Sequence, residues 1–150
     1  TVASAESVTG GLIGATLTTV PGASRVFRGG ITSYATDVKA SLLGVPATVL
    51  ADGGAVQAQV ALAMAQGVAM RLGTEFGIAA TGVAGPEWQD GQPPGTVFVA
   101  CVQLSPDGQI VATAVDDLHL HPEVEDPRLI RAEIRDETVA AALELLLTFL

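Results

Sequence analysis

The sequence predicts an α/β domain whose helix-covered sheet carries one antiparallel pair of strands near its end. Hydrophobic residues make up 49% of the 150 residues but aromatic residues only 4%, so the core must consist of Ala, Val, Leu and Ile. Sheets covered by helices are typically built from these residues. Short apolar runs that end at glycine turns also alternate with segments of helical periodicity. Late in the chain, two apolar segments flank the turn sequence Ser-Pro-Asp-Gly at 105–108, which is typical of a hairpin.

The first half of the chain predicts two strands and two short helices. In chain order we expect a buried strand over 1–5, a helix over 10–19, a strand over 26–34 and a helix over 38–43. The first helix stops at the Val-Pro-Gly turn 20–22. The glycine pair 29–30 marks a bend or bulge in the second strand. Thr36 or Asp37 is the expected N-terminal cap of the second helix, and Gly44 closes it.

The second half predicts the longest helices and the remaining strands. In chain order we expect a turn at 52–54, a helix over 55–72, a strand over 76–80, an exposed loop over 87–94, strands over 95–104 and 109–120, and a helix from 127 to the end. The first of these helices has apolar residues spaced by four along one face, at Val56, Val60, Met64 and Val68. Pro127 is a favourable first-turn residue for the last helix.

Composition and charge restrict the classes of partner. The net charge is −9, from 7 basic and 16 acidic residues. This argues against nucleic acid and against an anionic membrane surface, because both need a basic face. The single cysteine, Cys101, cannot form an internal disulfide, and no apolar segment is long enough to span a membrane. We expect one cytoplasmic domain over 1–150 that lacks an upstream piece, since the chain begins without Met and directly on a strand pattern.

Two loops at predicted strand ends are candidates for a site. Ser7 and Thr9, followed by Gly10 and Gly11, lie between the first strand and the first helix. Such a turn aims backbone N–H groups at one point, so its hydroxyls could bind an anion or supply a nucleophile; alternatively they only cap the helix. The segment 81–85 has a similar hydroxyl-plus-glycine character. Ligands of open α/β sheets bind beyond the carboxyl ends of the strands, so the two loops could converge.

A serine nucleophile needs a base, and the sequence offers few. The two histidines, His119 and His121, fall at a strand end and are most simply surface residues, although a metal pair without a clear third ligand is conceivable. Lys39 is the only lysine and could accept a proton if it is desolvated; otherwise it is a solvated surface residue. Tyr34, the only tyrosine, could orient its amine.

Three arginines gather at the start of the last helix. These are Arg128, Arg131 and Arg135, the last two one helical turn apart. The cluster could hold a ligand phosphate through charge-assisted hydrogen bonds. It could equally pair with the neighbouring carboxylates of Glu133, Asp136 and Glu137.

Several motifs resemble one known family over nearly the whole chain. The segment Ala-Glu-Ser-Val-Thr-Gly-Gly at 5–11 is similar to the A-E-S-C-T-G-G motif of the CinA C-terminal domain family, the nicotinamide mononucleotide amidohydrolases. Further matching segments follow in order at 20–24, 33–39, 43–45, 54–56, 60–65, 81–86 and 94–97.

The resemblance implies a fold, an activity and a site. The implied fold is a three-layer α/β/α sandwich on a mixed, mostly parallel five-stranded sheet. The implied activity is deamidation of nicotinamide mononucleotide to nicotinic acid mononucleotide and ammonia, with no cofactor and no metal. Ser7 matches the nucleophile and Lys39 the base, with Tyr34, Thr9 and Thr81 as supporting groups. The expected substrate-binding residues are Gly10, Gly11, Gly82, Thr36, Arg131 and Arg135. Separately from the resemblance, the alanine-rich chain is expected to bury surface in a homo-oligomer.

The chain also departs from the family pattern. Thr36 stands where asparagine is common, Gln57 replaces a serine, and the Gly-Asp-Arg run before the last helix is not intact. From the resemblance we also expect that the helix that normally precedes the first strand, and the N-terminal pyrophosphatase domain of longer members, are missing here. These departures keep two alternatives open, a non-catalytic nucleotide- or phosphate-binding module and an interaction domain of the same fold.

Overall fold

The computed structural model describes all 150 residues as five strands, five α-helices and a short 3-10 turn. In chain order these are β1 (Val2–Glu6), α1 (Leu12–Thr18), the 3-10 turn (Ala23–Arg25), β2 (Phe27–Thr32), α2 (Thr36–Leu43), α3 (Ala47–Gly53), α4 (Ala58–Leu72), β3 (Phe76–Gly82), β4 (Thr96–Leu104), β5 (Ile110–His119) and α5 (Pro127–Leu147). No helix is long and apolar enough to cross a membrane.

The five strands form one mixed sheet in the order β2-β1-β3-β4-β5. β1 pairs in parallel with β2 and β3, whereas β4 is antiparallel to both β3 and β5. Four of the five strands therefore run in one direction, and the predicted mixed, mostly parallel sheet is confirmed. The predicted bulge is present as well: Val2 pairs with Phe27 but Ala3 pairs with Gly29, which leaves Arg28 as the extra residue. Gly29 has φ 143°, a conformation that glycine adopts at little cost.

Helices cover both faces of the sheet and create two separate cores. On one face, α1 and α5 bury residues such as Ile13 and Ile134 against Ile78 and Val99. On the other face, α2 and α4 pack over the small residues of β1, with Met64 near the centre. Because alternate residues of a strand face opposite layers, β1 is covered on both sides, and all five of its residues are buried.

The topology places a crevice at one edge of this sandwich. The chain leaves β1 toward β2 and leaves β3 toward β4, so connections diverge from two adjacent parallel strands. Ligands of open α/β sheets bind at such switch points, outside the carboxyl ends of the strands. The two loops concerned are those that follow β1 and β3, the pair that the sequence suggested.

The middle of the chain differs from the sequence prediction. The turn expected at 52–54 is the end of helix α3, and the long helix begins at Ala58 rather than at residue 55. Gln57 is in an extended conformation (φ −159°, ψ 156°), which separates the two helices. Helix α2 also begins earlier than expected: Ala35 is its N-cap, without a side-chain cap, and Thr36 is its first residue.

Candidate functional site

Ser7 lies directly after β1, on a loop that the carboxylate of Glu6 holds in place. Glu6 is buried, and its Oε2 accepts hydrogen bonds from the Thr9 hydroxyl at 2.8 Å and from the backbone N–H groups of Gly11 and Ile13 at 2.9 Å each. Its Oε1 accepts from Gly14 N at 2.8 Å and Ser4 Oγ at 3.1 Å. A negative charge at the N-terminus of α1 is favourable, and here it also satisfies the free amides of the first turn.

Arg135 holds the same loop from the opposite side. Its guanidinium donates from Nε to the Val8 carbonyl at 3.1 Å and from Nη2 to the Thr9 carbonyl at 2.9 Å. The backbone N–H groups of Val8 and Thr9 make no hydrogen bond within the chain, although both residues are buried. Buried amides without a partner are rare in proteins. Thr9 is fully enclosed, whereas Val8 lines a cleft, so the Val8 amide is a candidate donor to a bound ligand.

The amine of Lys39 reaches Ser7 from helix α2. The Lys39 Nζ atom lies 2.9 Å from Ser7 Oγ, 2.7 Å from the Ser33 carbonyl oxygen and 3.4 Å from the Tyr34 carbonyl oxygen. The N–H of Ser33 donates to the Glu6 carbonyl at 2.9 Å, which extends the pairing of β2 with β1 and brings the start of α2 beside Ser7. Sheet register therefore joins two residues that are far apart in sequence.

Burial changes the acid–base chemistry of this lysine. Only 1% of Lys39 is exposed, and desolvation lowers its pKa from 10.5 to about 8, an effect that the nearby charge of Asp90 partly opposes. A neutral amine has two N–H donors and one lone pair. The two carbonyl oxygens can accept the donors, which leaves the lone pair for the hydroxyl hydrogen of Ser7.

A cleft of about 300 Å³ opens beside this pair. Its walls come from Ser7 and Val8, from the loop after β3, and from Tyr34 and Arg131. Arg131 donates from Nη2 to the Tyr34 hydroxyl and from Nη1 to the Gly85 carbonyl, both at 2.8 Å. Three larger hollows of about 610, 460 and 430 Å³ lie elsewhere, but none contains a serine next to a base.

Asp90 and Thr81 fix the loop that follows β3, because both are hydrogen-bonded to Ala55. Ala55 donates its N–H to Asp90 Oδ2 at 2.7 Å and accepts a hydrogen bond from the Thr81 hydroxyl at 2.7 Å. Asp90 is the one residue other than glycine with a positive φ, 52°, and it packs against Gly54. The Thr81 hydroxyl is thus a structural link at the end of β3, next to Gly82 on the cleft wall.

The structure brings together only part of the expected site. Five of the expected residues lie at or beside the cleft: Ser7, Lys39, Tyr34, Gly82 and Arg131. Thr9, Gly10, Gly11, Thr36 and Arg135 do not line it. The reason is local: the Thr9 hydroxyl and Gly11 amide donate to Glu6, the Gly10 amide donates to the Ser7 carbonyl, and Thr36 is exposed on α2.

The remaining titratable candidates have other roles. Neither Arg131 nor Arg135 forms an ion pair with a carboxylate, whereas Arg128 pairs with Asp126 at 2.8 Å. His119 is exposed beside Asp117, and no group of three metal-binding side chains is present. Burial in the core raises the pKa of Cys101 to about 12, so its thiol is a poor nucleophile.

Sequence reasoning missed three contributors. Glu6 holds the loop that carries Ser7, and the Ser33 carbonyl holds the Lys39 amine. Asp90 holds the loop after β3 through its hydrogen bond with Ala55. A carboxylate directly after a predicted buried strand was the one available signal, since a buried charge needs several partners.

Comparison with known proteins identifies the family. The model of the CinA C-terminal domain matches residues 1–150. The chain belongs to the CinA C-terminal domain family. Among curated relatives, a CinA-like protein from Frankia casuarinae is 56% identical over 110 residues, which are 73% of this chain and 25% of that protein. A CinA-like protein from Gemmatimonas aurantiaca is 52% identical over 101 residues, 67% of this chain and 24% of that protein. The matched segment therefore spans about a quarter of these longer relatives.

Solved structures of this family share the fold. A competence/damage inducible protein from Agrobacterium tumefaciens superposes with a TM-score of 0.84 at 36% identity, over 98% of this chain and 83% of that one. A CinA superfamily protein from Escherichia coli gives a TM-score of 0.79 at 32% identity, over 99% and 80% of the two chains. The α/β sandwich on a mixed five-stranded sheet is therefore that of the CinA superfamily.

Proposed function

We propose that this CinA-family domain is an amidohydrolase that converts nicotinamide mononucleotide to nicotinic acid mononucleotide and ammonia. The observation that carries the proposal is the 2.9 Å approach of a buried lysine amine to a serine hydroxyl at the floor of a cleft. A nucleophile within hydrogen-bond reach of its base is the arrangement that covalent catalysis requires. A domain that acted only through its outer surface would have no need to bury its single lysine against Ser7.

The proposed reaction begins with proton transfer from Ser7 to Lys39. The neutral amine accepts the hydroxyl proton while Oγ attacks the carboxamide carbon, and the carbonyl oxygen becomes an oxyanion. The free amide of Val8, a residue of the cleft wall, is the donor assigned to that oxyanion. Lys39 then passes its proton to the leaving nitrogen, and ammonia departs from an acyl ester on Ser7. Water, deprotonated by Lys39, hydrolyses the ester and restores the hydroxyl.

Arg131 is the residue assigned to the phosphate of the nucleotide. Its bonds to Gly85 and Tyr34 use two of the five N–H donors of a guanidinium, so donors remain for a ligand on the cleft wall. The family departure at Thr36 does not weaken the dyad, because backbone carbonyls rather than a side-chain amide orient the Lys39 amine.

The direct test measures ammonia and nucleotide product with nicotinamide mononucleotide as substrate. We expect stoichiometric ammonia and nicotinic acid mononucleotide, and no reaction of the latter. Calorimetry on the same samples separates the alternative: tight binding of the nucleotide without release of ammonia would make the domain a nucleotide-binding module instead.

The activity should depend on pH through Lys39, and Asp90 should tune that dependence. Since the base must be neutral, kcat/KM is expected to rise as the pH increases through about 8 and to level off above it. Asp90→Asn removes the charge that raises the pKa of Lys39 but keeps an oxygen for Ala55 N. The midpoint of the profile should therefore move to lower pH.

The matched control is Asp107→Asn in the exposed turn between β4 and β5, which should leave the midpoint unchanged. A midpoint that moves upward in Asp90→Asn, with the fold intact, would contradict the assignment of Lys39 as the base.

A further inference from the structure

Both exposed aromatic side chains of this protein line the cleft beside Ser7. Tyr34 is 62% exposed and Trp88 is 67% exposed, and they are the only tyrosine and the only tryptophan in the chain. All four phenylalanines are buried or half-buried. A chain with so few aromatic residues therefore presents every exposed aromatic ring at one place.

Trp88 is held at the cleft by the loop that carries it. Before Trp88 in the chain, the Gly85 carbonyl accepts a hydrogen bond from Arg131 at 2.8 Å. After Trp88, the Asp90 carboxylate accepts a hydrogen bond from Ala55 N at 2.7 Å. Next to Trp88, Gln89 and Gln92 exchange backbone hydrogen bonds of 3.1 and 2.8 Å, which close the turn. The loop is thus tied to α5 and to the segment before α4, so Trp88 needs no ligand to bring it to the cleft.

The surroundings of Trp88 favour a cation over an anion at its ring. Its indole makes no hydrogen bond within the chain, and the preceding residue, Glu87, is acidic and also lines the cleft. The chain as a whole carries a charge of −9. The π face of tryptophan attracts cations more strongly than that of any other side chain.

We propose that Trp88 is a specificity residue that binds the positively charged pyridinium ring of the substrate by stacking and cation–π attraction. The identity of that ring rests on the proposed function, but the chemistry is more general: a flat, cationic nitrogen heterocycle is what this surface fits. Arg131, which lines the same cleft, is then left for the phosphate, so that the two opposite charges of one nucleotide meet different side chains. A neutral pyridine of the same shape lacks the charge needed for cation–π attraction and should therefore bind more weakly.

The single tryptophan makes binding directly visible. Pyridinium rings quench indole fluorescence on contact, so Ser7→Ala protein, which binds without turnover, is titrated with nicotinamide mononucleotide while emission is recorded and heat is measured in parallel. We expect saturable quenching with the same dissociation constant as the heat. Ribose 5-phosphate, which lacks the ring, should not quench, and N-acetyltryptophanamide should show only linear, collisional quenching. The 1-methylnicotinamide cation should quench in a saturable way at lower concentration than neutral nicotinamide.

The outcomes distinguish the role of Trp88 from the proposed amidohydrolase activity. Turnover by the wild-type protein together with saturable quenching supports both. Turnover by the wild-type protein without saturable quenching overturns the role of Trp88 and leaves the amidohydrolase intact. Binding heat with neither quenching nor turnover overturns both. Saturable quenching without turnover keeps the ring site and removes the enzyme. The absence of both turnover and binding overturns both.

Variants supply a second, independent measurement. Trp88→Ala is expected to raise KM for nicotinamide mononucleotide about tenfold with kcat within about twofold, whereas Trp88→Phe keeps KM within about threefold. Val111→Ala, which removes another exposed apolar side chain on β5 away from the cleft, is the control and should leave both constants unchanged. An equal loss in Trp88→Ala and Trp88→Phe, or a loss confined to kcat, would contradict a stacking role.

Discussion

Replacing Lys39 by Met is expected to lower kcat for carboxamide hydrolysis about a thousandfold or more, because the variant removes the base and leaves Ser7 as an unactivated hydroxyl. Methionine has a similar length and no charge, so it suits a side chain that is 1% exposed. The protein should therefore fold, with an unchanged far-ultraviolet circular dichroism spectrum. Ammonia release at a pH above 8, where the wild-type amine is neutral, gives the largest contrast.

Ser7→Ala should cause a loss of at least that size, and the double variant should be no worse than the more impaired single variant, since the two residues act as a unit. Ser41→Ala is the matched control, because Ser41 is exposed on the same helix as Lys39. Losses that multiply in the double variant, or a fall of less than about tenfold in either single variant, would mean that the two groups do not form a catalytic pair.

The strands and the long helices of this fold could be predicted from the sequence, because their apolar patterns reflect burial. Strand β1 and helix α4 bury continuous apolar surfaces, and their presence was evident from residue type alone. Helix α3 was missed because it lacks such a pattern. None of its residues is buried, and no side chain caps it. Its only local signal, Asp-Gly-Gly at 52–54, is a turn signal that here marks a helix end.

The site was less accessible to local reasoning. Ser7 and Lys39 lie 32 positions apart and meet because β2 pairs with β1 in parallel and α2 follows immediately. No periodicity encodes that contact; the family resemblance singled out the two residues, and the register of the sheet explains their approach. Glycines 10 and 11 illustrate the opposite case. Their pattern suggested an anion site, but Gly11 N donates to Glu6, so the free amides belong to the preceding residues.

Glu6 is the residue on which this arrangement of amides depends. Its carboxylate accepts five hydrogen bonds, from Ser4, Thr9, Gly11, Ile13 and Gly14, and the last three come from backbone N–H groups, which can only donate. Each of its two oxygens accepts from at least one backbone N–H group, so both must be acceptors. A glutamine of the same shape would present an NH₂ group to amides that are donors themselves. At least one backbone N–H at the start of α1 would lose its partner inside the protein.

Glu6→Gln is accordingly expected to reduce the free energy of unfolding by about 2–4 kcal/mol, because it removes charged hydrogen bonds and leaves buried donors unsatisfied. Urea unfolding would show this as a lower midpoint with an unchanged slope. Glu144→Gln, on the exposed face of α5, is the matched control and should change stability by less than about 0.5 kcal/mol. If Glu6→Gln were as stable as that control, the carboxylate could not be what holds the serine loop. If it were destabilised, the loop that carries Ser7 would be looser, and kcat should fall more than KM rises, since the reacting oxygen rather than the bound nucleotide loses its position.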